Sequence, residues 1–375
     1  MARATPPLLK QLNERAVLDA IREGAPISRA EIARRTGISK PTVSLALRTL
    51  LESGVVRETA PDPGRPHYGA VFFEPVHEAA LVLGLDIGAR FLRGAISDLD
   101  GTVRARHDVE LRGTDTATAL ATIEELRETL AHTFDSAVVG IPGVVDPAGG
   151  AVSLATNVPG LEGHEFATEL RGLLGVPVRL ENDINLAALG EQWRGIARGV
   201  SDFLFLSIGT GMGAGLVLHD ELHRGRNGAA GELDYALVGL DADVDPCAGA
   251  VAQLTEELAG RRDGDTTLRP PYEPRIIFAA ARAGDPLALE VVAEEARRIA
   301  AHVMPVAAVA DVELVVLGGG LGANGDLLLE PIRSRLATRL PYPPRLEVSS
   351  LGEAAVLTGA LAVGVRAARE NVLAR

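Results

Sequence analysis

The chain has 375 residues, 47% of them hydrophobic, which is enough for two or three domains with sizeable cores. It contains no apolar run long enough to cross a membrane and no signal peptide pattern at its start, so we expect a cytoplasmic protein without a membrane partner. A single cysteine, Cys247, excludes an intrachain disulfide. The net charge of −13 is uneven: residues 1–70 carry +4 and residues 71–375 carry −17, which confines contact with nucleic acid to the first part of the chain.

Residues 28–53 predict two short helices joined by a tight turn. Ser28 followed by Glu31 predicts a capping box, in which each side chain accepts a hydrogen bond from the backbone N–H of the other residue. Gly37 supplies the left-handed residue that ends the first helix, and Ser39 caps the second. An inward apolar stripe then recurs at helical spacing, formed by Val43, Leu47, Leu50 and Leu51.

The outward face of the second helix carries small, polar and cationic side chains, which suit phosphates and base edges. The residues of this face that we assign to DNA contact are Lys40, Thr42, Ser44 and Arg48. A plain helical hairpin is the alternative interpretation. The turn, the caps and the outward face all favour a DNA-binding helix-turn-helix.

A helix over residues 8–23 precedes this motif, and strand-like sequence follows it from Val55. A turn over residues 61–66 and a return strand over residues 68–73 complete a β-hairpin wing. Arg65 lies at the tip of the turn, where it either enters the minor groove or is a solvated turn residue.

The first part of the chain is therefore predicted to be an α+β winged helix-turn-helix domain over residues 1–73. Residues 74–80 are predicted to be a short linker.

Residues 81–375 contain an internal repeat. A strand, a glycine turn and a returning strand occur at residues 81–96 and again at residues 203–218, each time followed by alternating helices and strands. Two such lobes facing each other could hold a phosphate chain with the backbone N–H groups of their turns. Hairpins also need glycine for positive φ in the absence of any ligand.

Five short motifs follow one another in the body of the chain. They are IPGVVDP at residues 141–147, NVPG at 157–160, ENDIN at 181–185, IGTG at 208–211 and LGGG at 317–320. In this order they resemble the ROK family, which comprises repressors, open reading frames and sugar kinases, over nearly the full length of the chain. The resemblance implies a two-lobed α/β fold of the actin-like ATPase (ribonuclease H-like) type for residues 81–375. The winged head implies the repressor branch, whose members bind operators as symmetric assemblies and respond to sugars.

The resemblance also implies roles for particular residues. In the kinases of the family, the aspartate that matches Asp183 takes the proton from the sugar hydroxyl that attacks the γ-phosphate; it could instead cap the helix beginning there. Asn157, Asn182 and Glu232 match sugar ligands, and their amide and carboxylate groups suit a polyhydroxylated ligand. The asparagines could also be ordinary turn residues, and Glu232 a solvated loop carboxylate.

The match to the nucleotide-binding turns is partial. The matching residues are Asp86, Gly88, Gly209, Thr210, Gly211, Gly318, Gly319 and Gly320. In the first turn, Ala89 and Arg90 stand where the family has a second glycine and a threonine. The methyl group of Ala89 hinders the approach of the backbone to a phosphate, and the lost threonine could have bound a phosphate or a metal-bound water. These changes weaken the binding of ATP and magnesium without abolishing it, because Arg90 could itself pair with a phosphate.

The zinc site of the family is incomplete as well. Its histidine would stand at Tyr235, and its three-cysteine cluster is reduced to Cys247. A structural zinc ion needs four ligands, which one cysteine cannot supply, so we predict no zinc. His219 and His223 have no third ligand near them in the sequence and are interpreted as surface loop residues.

The leading interpretation is a repressor of carbohydrate-utilisation genes that acts as a homodimer or higher oligomer and leaves operator DNA when a sugar binds the kinase-like body. The alternative is an active ATP-dependent sugar kinase with a DNA-binding head, which Asp183 and the intact turns at residues 209–211 and 318–320 favour. The sequence does not separate an activator, or a regulator without a ligand, from the leading interpretation.

Overall fold

The computed structural model describes residues 6–60, 70–88, 90–113, 115–130, 133–147, 150–155, 158–163, 165–235, 244–261 and 266–372. The predictions for Arg65, Ala89 and Asn157 lie outside these residues, as does the whole predicted wing turn over residues 61–66.

The head of the chain is a helix-turn-helix with a small antiparallel sheet. Its elements are α1 (Pro6–Gly24), β1 (Ile27–Ser28), α2 (Arg29–Thr36), α3 (Lys40–Glu52), β2 (Val56–Thr59) and β3 (Phe72–Pro75). β3 lies between the other two strands, so that Phe73 pairs with Ile27 on one side and with Glu58 on the other. The sequence did not predict β1, because two residues are too few to show a strand period.

The helix ends form largely as predicted. The Ser28 hydroxyl accepts a hydrogen bond from the Glu31 N–H at 3.3 Å, and Gly37 adopts the left-handed conformation with φ of 69°. The reciprocal half of the predicted capping box is wrong: the Glu31 carboxylate accepts hydrogen bonds from the guanidinium groups of Arg34 and Arg35. These charge-assisted bonds within one turn of the helix outcompete a neutral backbone donor, and they lower the pKa of Glu31 to about 2.

The first lobe of the body is a mixed five-stranded sheet in the order β10-β7-β4-β5-β6. Its elements are β4 (Leu81–Ile87), β5 (Phe91–Asp98), β6 (Val103–Glu110), α4 (Thr116–Leu130), β7 (Ser136–Ile141), the short hairpin β8 (Val144–Val145) and β9 (Val152–Ser153), α5 (Glu165–Leu174) and β10 (Val178–Asn182). Helix α4 packs against β5 and β6, and α5 packs against β10, with Ile123, Phe166 and Leu170 buried in one cluster with residues of β4 and β7.

The second lobe is a five-stranded sheet in the order β13-β12-β11-β14-β15. Helix α6 (Asp183–Arg194) precedes it in the chain, and helix α12 (Ala355–Asn371) follows it. Its own elements are β11 (Phe203–Ile208), β12 (Met212–Leu218), β13 (Glu221–Leu222), α7 (Ala248–Ala259), α8 (Pro274–Arg282), α9 (Pro286–Ala310), β14 (Leu314–Gly318), α10 (Gly319–Gly322), α11 (Gly325–Ala337) and β15 (Arg345–Val348).

The two sheets have the same topology, which confirms the repeat read from the sequence. In each sheet the first three strands, β4 to β6 or β11 to β13, run antiparallel to their neighbours. The last two strands, β7 and β10 or β14 and β15, are added in parallel on the other side of the first strand. The hairpin turns between β4 and β5 and between β11 and β12 therefore occupy equivalent positions in the two lobes.

The helices α6 and α12 lie between the two sheets. A Cβ atom at Gly359 would overlap the carbonyl oxygen of Leu186, and one at Gly190 would overlap that of Ala355. The two helices can therefore cross this closely only because each has glycine at the point of contact. α6 packs on the second sheet through Ala187 and Ala188, while α12 packs on the first, so this helix pair connects the lobes.

The head and the body share one apolar core. Val17, Ile21 and Leu50 of the head belong to the same buried cluster as Val82 of β4 and Val365 of α12. The segment predicted as a linker is ordered against the body: β3 extends to Pro75 and a single 3₁₀ turn covers His77–Ala79. The His77 carbonyl accepts from the Leu99 N–H at 2.9 Å, and Glu78 pairs with Arg104 at 2.6 Å.

No helix in the part of the chain that the structure describes is both long enough and apolar enough to cross a membrane.

Candidate functional site

The outward face of α3 is open to solvent, as its sequence predicts. Lys40 and Arg48 are exposed, and Leu45 between them is 54% exposed. The opposite side of the helix is in the core, where Val43, Leu47 and Leu50 are each at most 3% exposed. α3 is therefore held by its apolar stripe and presents its cationic side chains outward, as a recognition helix does.

The two small residues of this face are held in place by local hydrogen bonds. The Thr42 hydroxyl lies 2.8 Å from the Ser39 hydroxyl, and the Ser44 hydroxyl donates to the Lys40 carbonyl at 2.9 Å. The Arg29 guanidinium of α2 donates to Ser44 at 3.3 Å, which adds a cation to the α3 face. Sequence reasoning missed Arg29, because only the packing angle of the two helices brings it to α3.

Three carboxylates converge in the cleft between the lobes. Asp86 is at the end of β4, Asp183 is the first residue of α6, and Glu232 lies in the loop after β13. Burial and the charges of Asp86 and Glu232 raise the pKa of Asp183 to about 7, so both carboxylates lie within electrostatic range of Asp183. Burial also raises the pKa of Asp86 to about 6, and burial and the charge of Asp234 raise that of Glu232.

The helix cap at this site belongs to Asn182. The side-chain oxygen of Asn182 accepts from the Asn185 N–H at 2.9 Å, and its amide group donates to the Gly143 carbonyl at 3.0 Å. The alternative in which Asp183 caps the helix is therefore wrong, because the cap position is one residue earlier in the chain. Asp183 begins the helix, and its carboxylate accepts a hydrogen bond from the neighbouring Ile184 N–H at 2.9 Å.

A partly buried ion pair next to Asp183 connects the two lobes. Glu181, 4% exposed at the end of β10, accepts from the Arg224 guanidinium at 2.8 Å, and Arg224 follows β13 in the second lobe. The other oxygen of Glu181 accepts from the Asn185 amide at 3.1 Å. Sequence reasoning gave Glu181 no role of its own, because its partner Arg224 lies 43 residues further along the chain.

Close backbone contacts set the position of Glu232. A Cβ at Gly231 would overlap the Ala214 carbonyl oxygen, and the Ala214 N–H donates to the Gly231 carbonyl at 3.0 Å. A Cβ at Gly228 would overlap the Val145 carbonyl oxygen of the first lobe. Because the loop carrying Glu232 contacts both lobes, a change in their separation changes the position of its carboxylate.

The glycine turns of the second lobe lie side by side. A Cβ at Gly319, whose φ is 76°, would overlap the Ile208 carbonyl oxygen, and a Cβ at Gly318 would overlap the Phe205 ring. Close packing of the chain therefore requires glycine at these two positions. At Gly209, Gly211 and Gly320, by contrast, an added Cβ would meet open space, and Thr210 between the first two is exposed.

The corresponding turn of the first lobe differs. The Gly88 N–H donates to the Phe91 carbonyl at 2.9 Å within the hairpin. Arg93, which the sequence did not single out, contacts Asp86 at 3.3 Å, whereas Arg90 lies 5.7 Å from the centre of the Phe91 ring.

The residues around Cys247 do not fit a structural zinc ion. Tyr235 is 63% exposed, and burial together with the neighbouring Asp245 raises the pKa of the Cys247 thiol far above its usual range, which opposes a zinc-bound thiolate. Arg298, 2% exposed, donates to the Asp245 carbonyl at 2.8 Å, which connects this loop to α9. The described residues contain no cluster of three His, Cys, Asp or Glu side chains arranged for a metal.

Comparisons with known proteins agree with this architecture. The ROK family model matches residues 82–366, and a winged helix-turn-helix DNA-binding model matches residues 11–57. The xylose repressor of Caldicellulosiruptor bescii is 27% identical over 95% of this chain and 96% of its own.

Two solved structures extend the comparison. A ROK family transcriptional regulator, described as a homologue of the E. coli MLC protein, covers 98% of both chains with 25% identity and a TM-score of 0.80. A ROK family glucokinase from Streptomyces griseus in complex with glucose and AMPPNP is 26% identical, covers 76% of this chain and 99% of its own, and has a TM-score of 0.65.

Proposed function

The chain belongs to the ROK family, and from this premise we propose that it is a sugar-responsive transcriptional repressor whose kinase-like body is the sensor. The observation that carries the proposal is the shared core: a helix-turn-helix with an outward cationic face is packed directly on the helix that runs between the two lobes. A repressor similar over 95% of the chain and a regulator similar over 98% support the same function.

DNA contact is assigned to the outward face of α3. Lys40, at the start of the helix, and Arg48 would contact phosphates and bases, and Thr42 and Ser44 lie between them with hydroxyl groups. Arg65 would extend the contact from the wing. A symmetric operator requires two such heads, so we assign the working state to a homodimer or higher oligomer in the cytoplasm.

Sugar binding is assigned to the cleft between the lobes. Asp183 and Glu232 would each bind a sugar hydroxyl from a different side, and the remaining amide hydrogen of Asn182 and the side chain of Asn157 would add further contacts. The residues suit many pyranoses and pentoses, and the xylose repressor among the relatives makes xylose the first sugar to test.

Release from DNA follows from the difference in sugar affinity between two arrangements of the lobes. A sugar held by both lobes stabilises the arrangement in which Asp183 and Glu232 both reach it, and the shared core transmits the movement of α12 to the head. A difference of ~1–3 kcal/mol in sugar binding gives a several-fold to hundred-fold weakening of operator binding.

We assign no catalysis to the body, and no zinc, ATP or magnesium to its working state. The Gly88 N–H is used within its own hairpin, and Asp86 is paired with Arg93. An ATP-dependent sugar kinase remains the second candidate, because Gly209, Gly211 and Gly320 leave open space in the second lobe.

A gel shift with DNA upstream of the gene, repeated with a panel of sugars and beside an ATP-consumption assay, tests the proposal. We expect sequence-specific binding, release by one sugar, and ATP consumption at background. Failure to bind the upstream DNA, or robust sugar-dependent ATP consumption, would reject it.

A further inference from the structure

Leu45 is an apolar side chain in the middle of the outward face of α3. It is 54% exposed, whereas Leu47 and Leu50 of the same helix are at most 3% exposed. Its neighbours on the helix surface, Pro41 one turn before it and Arg48 one turn after it, are exposed as well. Since α3 buries one stripe in the core and presents the opposite one to solvent, the packing of the helix holds Leu45 outward.

The surroundings of Leu45 are cationic. α2 and α3 together contain five arginine or lysine residues and two glutamates, a net charge of +3. Lys40 and Arg48 are exposed on α3, and the Arg29 guanidinium of α2 donates to the hydroxyl of Ser44, the residue before Leu45, at 3.3 Å. A single exposed leucine is common on protein surfaces and needs no partner. Among the cations of a helix-turn-helix, however, it faces the partner that those cations attract, and DNA has the complementary charge.

The chemistry of the leucine side chain limits what it can recognise. The isobutyl group of Leu45 has no hydrogen-bond donor or acceptor, so it cannot bind a phosphate or the polar atoms of a base edge. In the major groove of B-DNA, the C5-methyl group of thymine is the apolar group that a side chain can contact. Contact between the two apolar groups removes both from water, which favours thymine over a base without the methyl group.

We propose that Leu45 reads a thymine C5-methyl group, so that each half-site of the operator requires a T·A base pair where α3 lies in the major groove. The inference rests on the proposed function and deepens it, because it names the chemical group that one side chain recognises. Lys40 and Arg48, which precede and follow Leu45 on the helix, then hold α3 on phosphates and polar base edges.

This role separates Leu45 from the cationic residues in its dependence on salt. A contact between a cation and a phosphate releases counterions, whereas a contact between two apolar groups releases none. Leu45→Ala should therefore lower operator affinity without changing the slope of log affinity against log salt concentration. Because Leu45 is exposed and alanine is a good helix former, the variant should keep α3 and its core intact.

The test begins with a duplex that the full-length wild type selects from random DNA sequences. Each thymine of this duplex is replaced in turn by deoxyuridine, which lacks only the C5-methyl group, and anisotropy titration measures binding by the wild type and by Leu45→Ala. We expect one thymine in each half-site at which deoxyuridine weakens wild-type binding by about threefold or more. In Leu45→Ala the same replacement should have no further effect, because the partner of the methyl group is already absent.

Leu289→Ala, at an exposed leucine of α9 in the body, is the matched control and should keep the full effect of deoxyuridine. Leu45→Met, whose side chain is also apolar, should keep part of it. An equal effect of deoxyuridine in the wild type and in Leu45→Ala would overturn the inference, because another side chain would then read the methyl group.

A wild type for which no thymine methyl group matters would also overturn the inference, and this result needs no variant. Specific binding and release by a sugar would in that case leave the proposed function standing. A wild type that selects no sequence from random DNA would reject the proposed function and this inference together.

Discussion

Asp183 is the residue to which both the similarity to sugar kinases and the proposed sensor role assign a function. It begins α6, it is within electrostatic range of Asp86 and Glu232, and its pKa is raised to about 7. In a kinase, a carboxylate with this pKa could act as a base near neutral pH. In a sensor, the same group binds a sugar hydroxyl, and its protonation state makes both stability and sugar affinity depend on pH.

The raised pKa has a definite consequence for stability. The folded state holds the Asp183 proton more tightly than an unfolded chain, in which the pKa is near 3.8, so the wild type loses stability as pH rises from about 4 to about 7. The Asp183→Asn variant has no ionisable group at this position, so it does not lose stability in this way as the pH rises. Its free energy of unfolding should therefore exceed that of the wild type above pH 7, by at most about 4 kcal/mol, and the difference should shrink towards pH 4. Thermal unfolding across this pH range checks it, and a difference independent of pH would contradict it.

Asp183→Ala separates sensing from DNA binding. Removing the carboxylate should lower sugar affinity by about tenfold or more. Operator binding without sugar should be retained, because α3 is held in the head by its own apolar stripe of Val43, Leu47 and Leu50. Calorimetry with sugar and anisotropy with labelled operator measure the two effects. Glu169→Ala, on the exposed side of α5, is the control and should change neither. Loss of operator binding in Asp183→Ala would argue against separate sites.

At the scale of elements, we propose that α3 makes two kinds of contact with DNA. Lys40→Ala should weaken binding to all sequences and reduce the salt slope by about one, because it would remove a proposed phosphate contact. Thr42→Ala or Arg48→Ala should cost ~1–3 kcal/mol at particular base pairs if these side chains read bases. Anisotropy titrations on operator and random DNA at several salt concentrations distinguish the two effects.

Arg339→Ala, an exposed arginine in the second lobe, is the matched control for loss of a positive charge and should have no effect on either DNA. Equal losses on operator and random DNA for Lys40→Ala, Thr42→Ala and Arg48→Ala would show that α3 does not read the sequence.

The crossing of α6 and α12 depends on its glycines. Gly359→Ala should lower the free energy of unfolding by about 2 kcal/mol or more, because the new methyl group would overlap the Leu186 carbonyl oxygen. Gly172→Ala in α5, where a Cβ meets open space, should be stabilising by up to about 1 kcal/mol, since alanine is the better helix former. Urea unfolding of both variants measures the contrast, and a neutral Gly359→Ala would show that the two helices can separate freely.

Local features of the fold could be predicted from the sequence, and contacts set by strand register could not. The turn at Gly37 and the cap at Ser39 depend only on neighbouring residues, and the apolar stripe of α3 depends on helical period. The position of Arg93 between two acids requires knowledge of which strands pair and in which register. The cap of α6 is Asn182, one residue before the Asp183 that the sequence offered as a cap. Side-chain preference alone could not decide between them, because asparagine and aspartate are both good caps.

At the scale of the whole molecule, the junction between head and body determines whether a sugar can act on DNA. The ion pair between Arg15 of α1 and Glu370 of α12 is exposed and long, at 3.8 Å, and a pair of this kind contributes little. The buried contacts are stronger: Val17 and Ile21 of α1 are fully buried in one cluster with Val82 and Val365. We therefore propose that the coupling acts through this apolar core, to which Val365 of α12 belongs.

Sugar titration into the free protein and into its complex with operator tests this coupling most directly. Linkage requires that operator weakens sugar binding by the same factor by which sugar weakens operator binding. The account predicts that calorimetry will give a sugar Kd about fivefold to a hundredfold higher in the operator complex, without ATP or magnesium in the buffer. The same sugar Kd in the free protein and in the operator complex would contradict it.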